Sequence, residues 1–380
     1  MTPNSIMTTY APAHVTFVRG EGARLYDDSG KEYLDFLSGL AVTALGHSHP
    51  KVAAAVSEQT RTLQHVSNLF NNEIAPEVAT TLDALIGGGG QVFFGNSGAE
   101  ANECAIKLAR LAGGPGKHVV ISAFGSFHGR TLATLHATGQ PAKHEKFQPL
   151  PEGFHHVAAF DVIDLERNID ATTAAVLIEV VQGEGGVNPA PDGYVRDVRA
   201  LCDDRGVLLI VDEIQTGLGR TGEWFAFQHS DIRPDIVTVA KALGNGMPIG
   251  ACWARKEVAS VFEPGDHGST YGGQPLATAA ARATLQELIA IDAPASARHA
   301  GERLTKGLEA LPGVAAVRGL GLLLGAELTA GNAKAVNAAL LDAGLVVNAV
   351  TDTALRFAPP LNVSDDEIDQ ALAICAEVIK

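Results

Sequence analysis

Residues Gly206–Gly222 read GVLLIVDEIQTGLGRTG: five apolar residues, Val207 to Val211, run straight into two carboxylates, Asp212 and Glu213. A short apolar run bounded by glycines is the pattern of a strand buried on both faces, as in parallel sheets. In open α/β sheets ligands sit beyond the carboxyl ends of the strands. Two acids at such an end therefore mark a candidate site.

Outward from this strand the chain alternates. APEVATTLDALI has helical periodicity, QVFFG is a short strand, AEANECAIKLARLA is helical, and KHVVIS and TAAVLIEV are strands. GYVRDVRALCDDRG is a helix, and DIVTVA and IGACWA are apolar, β-rich runs. Alternation of this kind predicts an α/β fold, a mostly parallel sheet flanked by helices. After about residue 275 long helices and short strands mix, and the last helix is announced by a capping box, Ser364 and Glu367. The reading divides the chain into residues 51–275, a large unit, and 276–380, a smaller α+β unit. Residues 1–50 are too short to fold alone and are expected to pack with the C-terminal unit, so the smaller domain is built from both chain ends.

Composition narrows the function classes. The formal charge of −15 argues against a nucleic-acid binder, which needs a basic face, but not against a small anionic substrate. Cys104, Cys202, Cys252 and Cys375 are widely spaced, which suits free thiols in a reducing compartment and no disulfide or zinc framework. No apolar run reaches membrane-spanning length, and the N-terminal residues lack a basic-then-apolar pattern, so a cytoplasmic protein is expected.

Three chemistries compete for Asp212 and Glu213. A nucleotide hydrolase needs a phosphate loop, and the nearest match, LAGGPGKH, has Leu111 for the first glycine and His118 for Ser/Thr. A metal site could draw on His47, His49 or His155-His156, but no metal-ligand spacing accompanies them, and no metal is expected. The third chemistry needs an amine. Lys241 follows the DIVTVA strand into a glycine-rich loop, at the sheet edge that carries Asp212. A lysine there can form a Schiff base with an aldehyde, and an aspartate can hold a pyridine nitrogen protonated. Singly, the lysine reads as a surface residue and the aspartate as a turn cap; together they suit pyridoxal phosphate. GNSGAEANE adds a candidate phosphate cradle, small residues Gly95 to Ala99 opening a helix, although Ser97 and Glu100 also fit an ordinary capping box.

With these residues in hand, the chain resembles the class III pyridoxal-phosphate aminotransferases. The likeness runs through YLDFLSGLAVTALGHSHP, FFGNSGAEANE, SFHGRT, QGEGGV, VDEIQTGLGRTG, AKALGNGMPIGA, GSTYGGQPLA and LRFAPPL, almost the whole chain. It implies the fold type I architecture, a pyridoxal 5'-phosphate cofactor and a homodimer with shared active sites. Lys241 would be the Schiff-base lysine, and Asp212 would pair with the pyridine nitrogen. Gln215 would contact the phenolic oxygen, Phe127 would stack on the ring, and Ser97, Gly98 and Ala99 would hold the phosphate. Thr270 would reach the phosphate of the neighbouring subunit's cofactor, and Ser269 would lie near the substrate. Arg130 would hold the donor's carboxylate. Arg356 would take the α-carboxylate of glutamate or 2-oxoglutarate, masked by Glu184 while the donor is bound. The resemblance leans toward the branch that uses acetylornithine: where relatives that accept free ornithine carry a tyrosine, this chain has Leu40. Succinylornithine, N-succinyldiaminopimelate, ornithine and 4-aminobutyrate are the other donors, and a non-catalytic cofactor binder is the reading from another class. The chain departs from the family pattern at Gln274, where Asn is usual, and at Val180-Val181, where Pro-Ile is usual.

Overall fold

The decisive strand forms over Leu208–Asp212, and its neighbours explain its composition. It pairs in parallel with Ile236–Val239 on one side and Thr173–Ile178 on the other. Leu209 and Val211 join the core on one face of the sheet, and Ile210 joins the separate core on the other. The same alternation sends Val176 and Ile178 one way and Ala175 and Leu177 the other. Period-two geometry thus makes every position apolar when both faces are covered. The Gly98–Gly113 helix covers one face through Cys104, Ala105, Leu108 and Ala109, and Tyr194–Arg205 covers the other through Val198 and Cys202.

The computed structural model describes residues 5–11 and 13–380. Its seven-stranded sheet has the order Gly90–Gly95, Gly250–Arg255, Ile236–Val239, Leu208–Asp212, Thr173–Ile178, Val119–Ala123, Phe154–Val157. Only Gly250–Arg255 runs against the rest, antiparallel to both its neighbours. This reversal shortens the connection from Val239 to Gly250, because an antiparallel pair needs no crossover helix. The short connection is the loop that begins with Ala240 and Lys241.

A second sheet, all antiparallel, orders Val314–Leu320, Leu323–Leu328, Ala354–Phe357 and Asn348–Ala349. A third joins the chain ends: Phe17–Glu21, Arg24–Asp27 and Glu32–Asp35 pair in sequence, and Leu345–Val346 adds in parallel to the last. The helix Asp365–Val378 starts with the capping box read from sequence, Ser364 with Glu367, and buries Ile368, Ala371 and Cys375. Gln274, the departure noted above, caps the Pro275–Ala290 helix, its Oε1 accepting from the Leu276 N–H at 2.8 Å.

One local structure is not visible in the sequence. Ser38, Gly39, Leu40 and Ala41 have φ of 52°, 61°, 73° and 63°, a left-handed turn in which three residues are not glycine. Such residues pay a steric penalty in that region, which the surroundings must offset. Asp35 does much of this: its Oδ1 accepts from the N–H groups of Leu37 (3.0 Å) and Ser38 (2.8 Å), and its Oδ2 meets His47 Nε2 at 2.7 Å. The turn delivers Val42 to the wall of the cavity described next.

Candidate active site

A cavity of about 380 Å³ opens beyond the carboxyl ends of the central strands. Ser97, Gly98, Ala99, Phe127, Arg130, Glu184, Asp212, Gln215 and Lys241, nine of the residues singled out from the sequence, line it. Lys241 and Asp212 therefore face one space.

Asp212 ends its strand nearly buried, and its orientation is fixed from three sides. Oδ2 accepts from Asn102 Nδ2 at 2.9 Å and lies 2.8 Å from His128 Nδ1; Oδ1 accepts from the Ile214 N–H at 3.0 Å. Glu213, the adjacent acid, points the other way as strand alternation requires. It accepts from Thr216 Oγ1 and, at 2.9 Å, from the Phe227 N–H, pinning the turn beneath the sheet. Burial pushes its carboxyl up to about 7.

Lys241 opens a 3-10 turn, Lys241–Gly244, with φ of 44°, in the sparsely populated left-handed region. The far end of the loop is clamped: Asn245 Oδ1 accepts from the Leu45 N–H at 2.8 Å and its Nδ2 donates to Gly46 O at 3.1 Å. Burial and the Arg356 charge bring the Lys241 amine down to about 8, against the pull of Glu184, Asp212 and Glu179. An amine tuned this way is free base in about a tenth of molecules at pH 7, far more often than an ordinary lysine, and can act as nucleophile and base.

The Gly95–Ala99 stretch sits at the N-terminus of the Gly98–Gly113 helix, whose first N–H groups have no intrahelical partner. Ser97 caps it through Oγ, which accepts from the Glu100 N–H at 3.2 Å. The reciprocal half of the box is missing. Glu100 instead turns back to Asn96, accepting from its N–H at 2.6 Å and its Nδ2 at 2.7 Å, which withdraws the acid from the helix mouth. A Cβ on Gly98 would fall 2.7 Å from Ile214 Cδ1, so the helix mouth and the Asp212 loop meet only because residue 98 is glycine. A phosphate cradle, an aromatic face at Phe127, an oriented carboxylate and a buried amine around one cavity fit the donor set that pyridoxal phosphate requires.

Arg356 lies behind the cavity wall, fully buried on the Ala354–Phe357 strand. Its Nη1 donates to Glu184 Oε1 at 2.7 Å and to Gln215 Oε1 at 3.2 Å, and its Nε to Asn348 Oδ1 at 3.0 Å. Nη2 is buried without a hydrogen-bond partner among the described residues. Burial raises the Glu184 carboxyl, but the Arg356 charge and hydrogen bond outweigh it and hold it below the usual range. Ser269 and Thr270 are not in this cavity. They line a separate one of about 920 Å³, and only Ser269 approaches the first, its Oγ accepting from Asn96 Nδ2 at 3.2 Å.

One acid in the cavity escaped the sequence reading. Glu179 follows the Thr173–Ile178 strand, and its Oε2 accepts from the Phe127 N–H at 3.0 Å. Burial and the Asp212 charge lift it to about 7, opposed by His128 and Lys241. Its position at a strand end, next to the one carrying Asp212, is the signal that could have found it.

The family model for class III aminotransferases matches residues 6–379. The chain belongs to this family. Similar proteins include the acetylornithine aminotransferases of Corynebacterium efficiens, 47% identical over 99% of this chain and 95% of that one, and of Methanopyrus kandleri, 48% identical over 98% and 96%. Among solved structures, the ornithine aminotransferase of Toxoplasma gondii superposes with a TM-score of 0.94 at 34% identity, covering 99% of this chain and 92% of that one. The N-acetylornithine aminotransferase of Stenotrophomonas maltophilia gives 0.85 at 38% identity, covering 97% and 96%. This member of the family therefore shares their fold.

Proposed function

We propose that this aminotransferase moves the terminal amino group of N2-acetyl-L-ornithine to 2-oxoglutarate, giving N-acetyl-L-glutamate 5-semialdehyde and L-glutamate. The observation that carries the reading is the single cavity shared by Lys241 and Asp212, with Glu184 in its wall and Arg356 bonded to it from behind. The names borne by the similar full-length enzymes support the donor.

Pyridoxal phosphate, when bound, supplies an aldehyde that condenses with amines and a ring that takes up electrons from the adjacent carbon. Ser97, Gly98 and Ala99 would hold its phosphate, Phe127 one ring face, and Gln215 the region of its phenolic oxygen. Asp212, held by Asn102 and His128, keeps a negative charge where a ring nitrogen needs to stay protonated. Lys241 Nζ would be the nucleophile toward that aldehyde and the base that moves the proton. Arg130 anchors the carboxylate of the long donor. Glu184 neutralises Arg356 during that half-reaction, so that an amine remote from the carboxylate is presented. The α-carboxylate of glutamate then replaces Glu184 on Arg356, bidentate in the manner guanidinium favours. One site thereby handles two amines of different reach.

The same reading takes residues 51–275 as the cofactor-binding unit and residues 1–50 with 276–380 as the smaller one. It also makes the protein a homodimer. Thr270 faces a surface cavity away from its own Lys241, beside exposed Leu69, Phe70 and Tyr271, an apolar patch suited to a second subunit. The four cysteines are free and buried, in keeping with a reducing cytoplasm.

The test is spectroscopic. Enzyme loaded with pyridoxal phosphate should show a visible band that shifts on adding acetylornithine and returns with 2-oxoglutarate, faster than with succinylornithine, ornithine or 4-aminobutyrate. Lys241→Ala should keep the cofactor and lose turnover; near-normal turnover, or a band indifferent to every donor, would defeat the assignment.

A further inference from the structure

We propose that Lys143 joins Arg130 in a two-cation seat for the carboxylate at the donor's far end, and that Lys143 thereby sets selectivity for donors that carry one. This rests on the reading above in which the long donor's carboxylate goes to Arg130.

Both cations address the same ring. Arg130 Cζ lies 5.5 Å from the Phe127 centroid and Lys143 Nζ 5.3 Å from it, while Phe127 and Arg130 line the cavity. Neither makes an ion pair among the described residues. Arg130 makes no hydrogen bond there, and the hydrogen-bond partner of Lys143 is a neutral one, Gln140 Oε1. Two like charges held near each other are unfavourable unless an anion bound between them offsets the repulsion. Burial and the Arg130 charge both push the Lys143 amine below its ordinary range, against the attraction of Glu184.

The lysine is also held in place. Gln140, which accepts its hydrogen bond, donates through Nε2 to Ser126 O at 2.9 Å, and the Gly139 N–H donates to Ser126 Oγ at 3.1 Å. A Cβ on Gly139 would fall 2.0 Å from Ala123 O, so this segment lies directly against the backbone that leads to Phe127. Lys143 is half-buried, and its ammonium lies beside the Phe127 ring that lines the cavity. A carboxylate has two oxygens, and a guanidinium and an ammonium can each take one. In a protein of formal charge −15, this local pair also offsets the repulsion an anionic substrate meets on approach.

The experiment compares acetylornithine with N-acetylputrescine, which has the same acyl group and terminal amine but no carboxylate. Single-turnover kcat/KM is measured for both on the holoenzyme and on Lys143→Met and Lys143→Arg. Lys143→Met should lower the value for acetylornithine about tenfold, through KM, as expected for one charge-assisted contact near the surface. N-acetylputrescine should change by less than about twofold, and Lys143→Arg should restore most of the preference, since it keeps the charge. Equal slowing of both donors, the mark of a merely structural residue, or an unchanged ratio would overturn the role of Lys143 alone. A wild-type enzyme that does not use acetylornithine would overturn the donor assignment and this proposal together.

Discussion

Removing Glu184 should reveal how the site serves two amines. In Glu184→Ala, Arg356 keeps its bonds to Asn348 and Gln215 but loses its anion. A hydrogen bond between charged groups contributes about 1.5–3 kcal/mol when shielded from water. Arg356 is fully buried, but the Glu184 side chain is 34% exposed, which puts this pair at the lower end. About 1.4 kcal/mol is a factor of ten. Glutamate, which no longer has to displace Glu184, should therefore gain about tenfold in kcat/KM relative to acetylornithine. Following each half-reaction separately by the cofactor's absorbance in stopped flow gives that ratio directly. The same vacancy strands a buried guanidinium, so the variant should melt earlier and be rescued more than wild type by 2-oxoglutarate, which binds only the folded state. If the ratio of the two half-reaction rates does not move, Glu184 does not mask Arg356 and the switching argument fails.

Asp212→Asn keeps one oxygen for the Ile214 N–H but puts an NH2 where Asn102 and His128 need an acceptor, and it should slow transamination by about a hundredfold or more by removing the charge opposite the ring nitrogen; steady-state rates decide it, and a loss under about fivefold would contradict the role. Glu213 offers a test of burial alone. Burial raises its folded carboxyl from the ordinary 4.5 to about 7, so the fold favours the protonated form. That contribution is fully present below the unfolded value and is lost as pH rises through about 7. Wild type should therefore lose stability relative to Glu213→Gln between pH 5 and pH 8 in denaturant titrations, and parallel stability curves would refute the assignment.

The central sheet was legible because a strand buried on both faces must be apolar throughout, and Val207–Val211 is. The ends of two such strands then placed Asp212 and Lys241 on one rim, and the structure puts both in one cavity. Other parts of the site left no such mark. Asn102 and His128 reach Asp212 across long sequence separations, from a helix interior and a loop, where each looks like an ordinary residue. Glu100 had the right spacing for a capping box, but Asn96 offered two donors and won it. Lys143 gives no periodic signal, since its place over Phe127 comes from the way Gly139 and Gln140 meet the strand end. The left-handed turn at Ser38–Ala41 has only one glycine to announce it, and its offsetting bonds come from Asp35, itself fixed by His47.

The chain ends close on each other late. All seven strands of the large sheet lie between Gly90 and Arg255, so that sheet has its full membership while the rest of the polypeptide is still being synthesised. The Leu34 N–H, by contrast, waits for Gly344 O, and the Phe36 N–H for Val346 O. Until those residues leave the ribosome, Glu32–Asp35 is a bare β edge open to unwanted pairing. Closing a loop of such span is slow. In nascent chains of this enzyme that edge therefore stays exposed to misassembly until Leu345–Val346 is made and pairs with it.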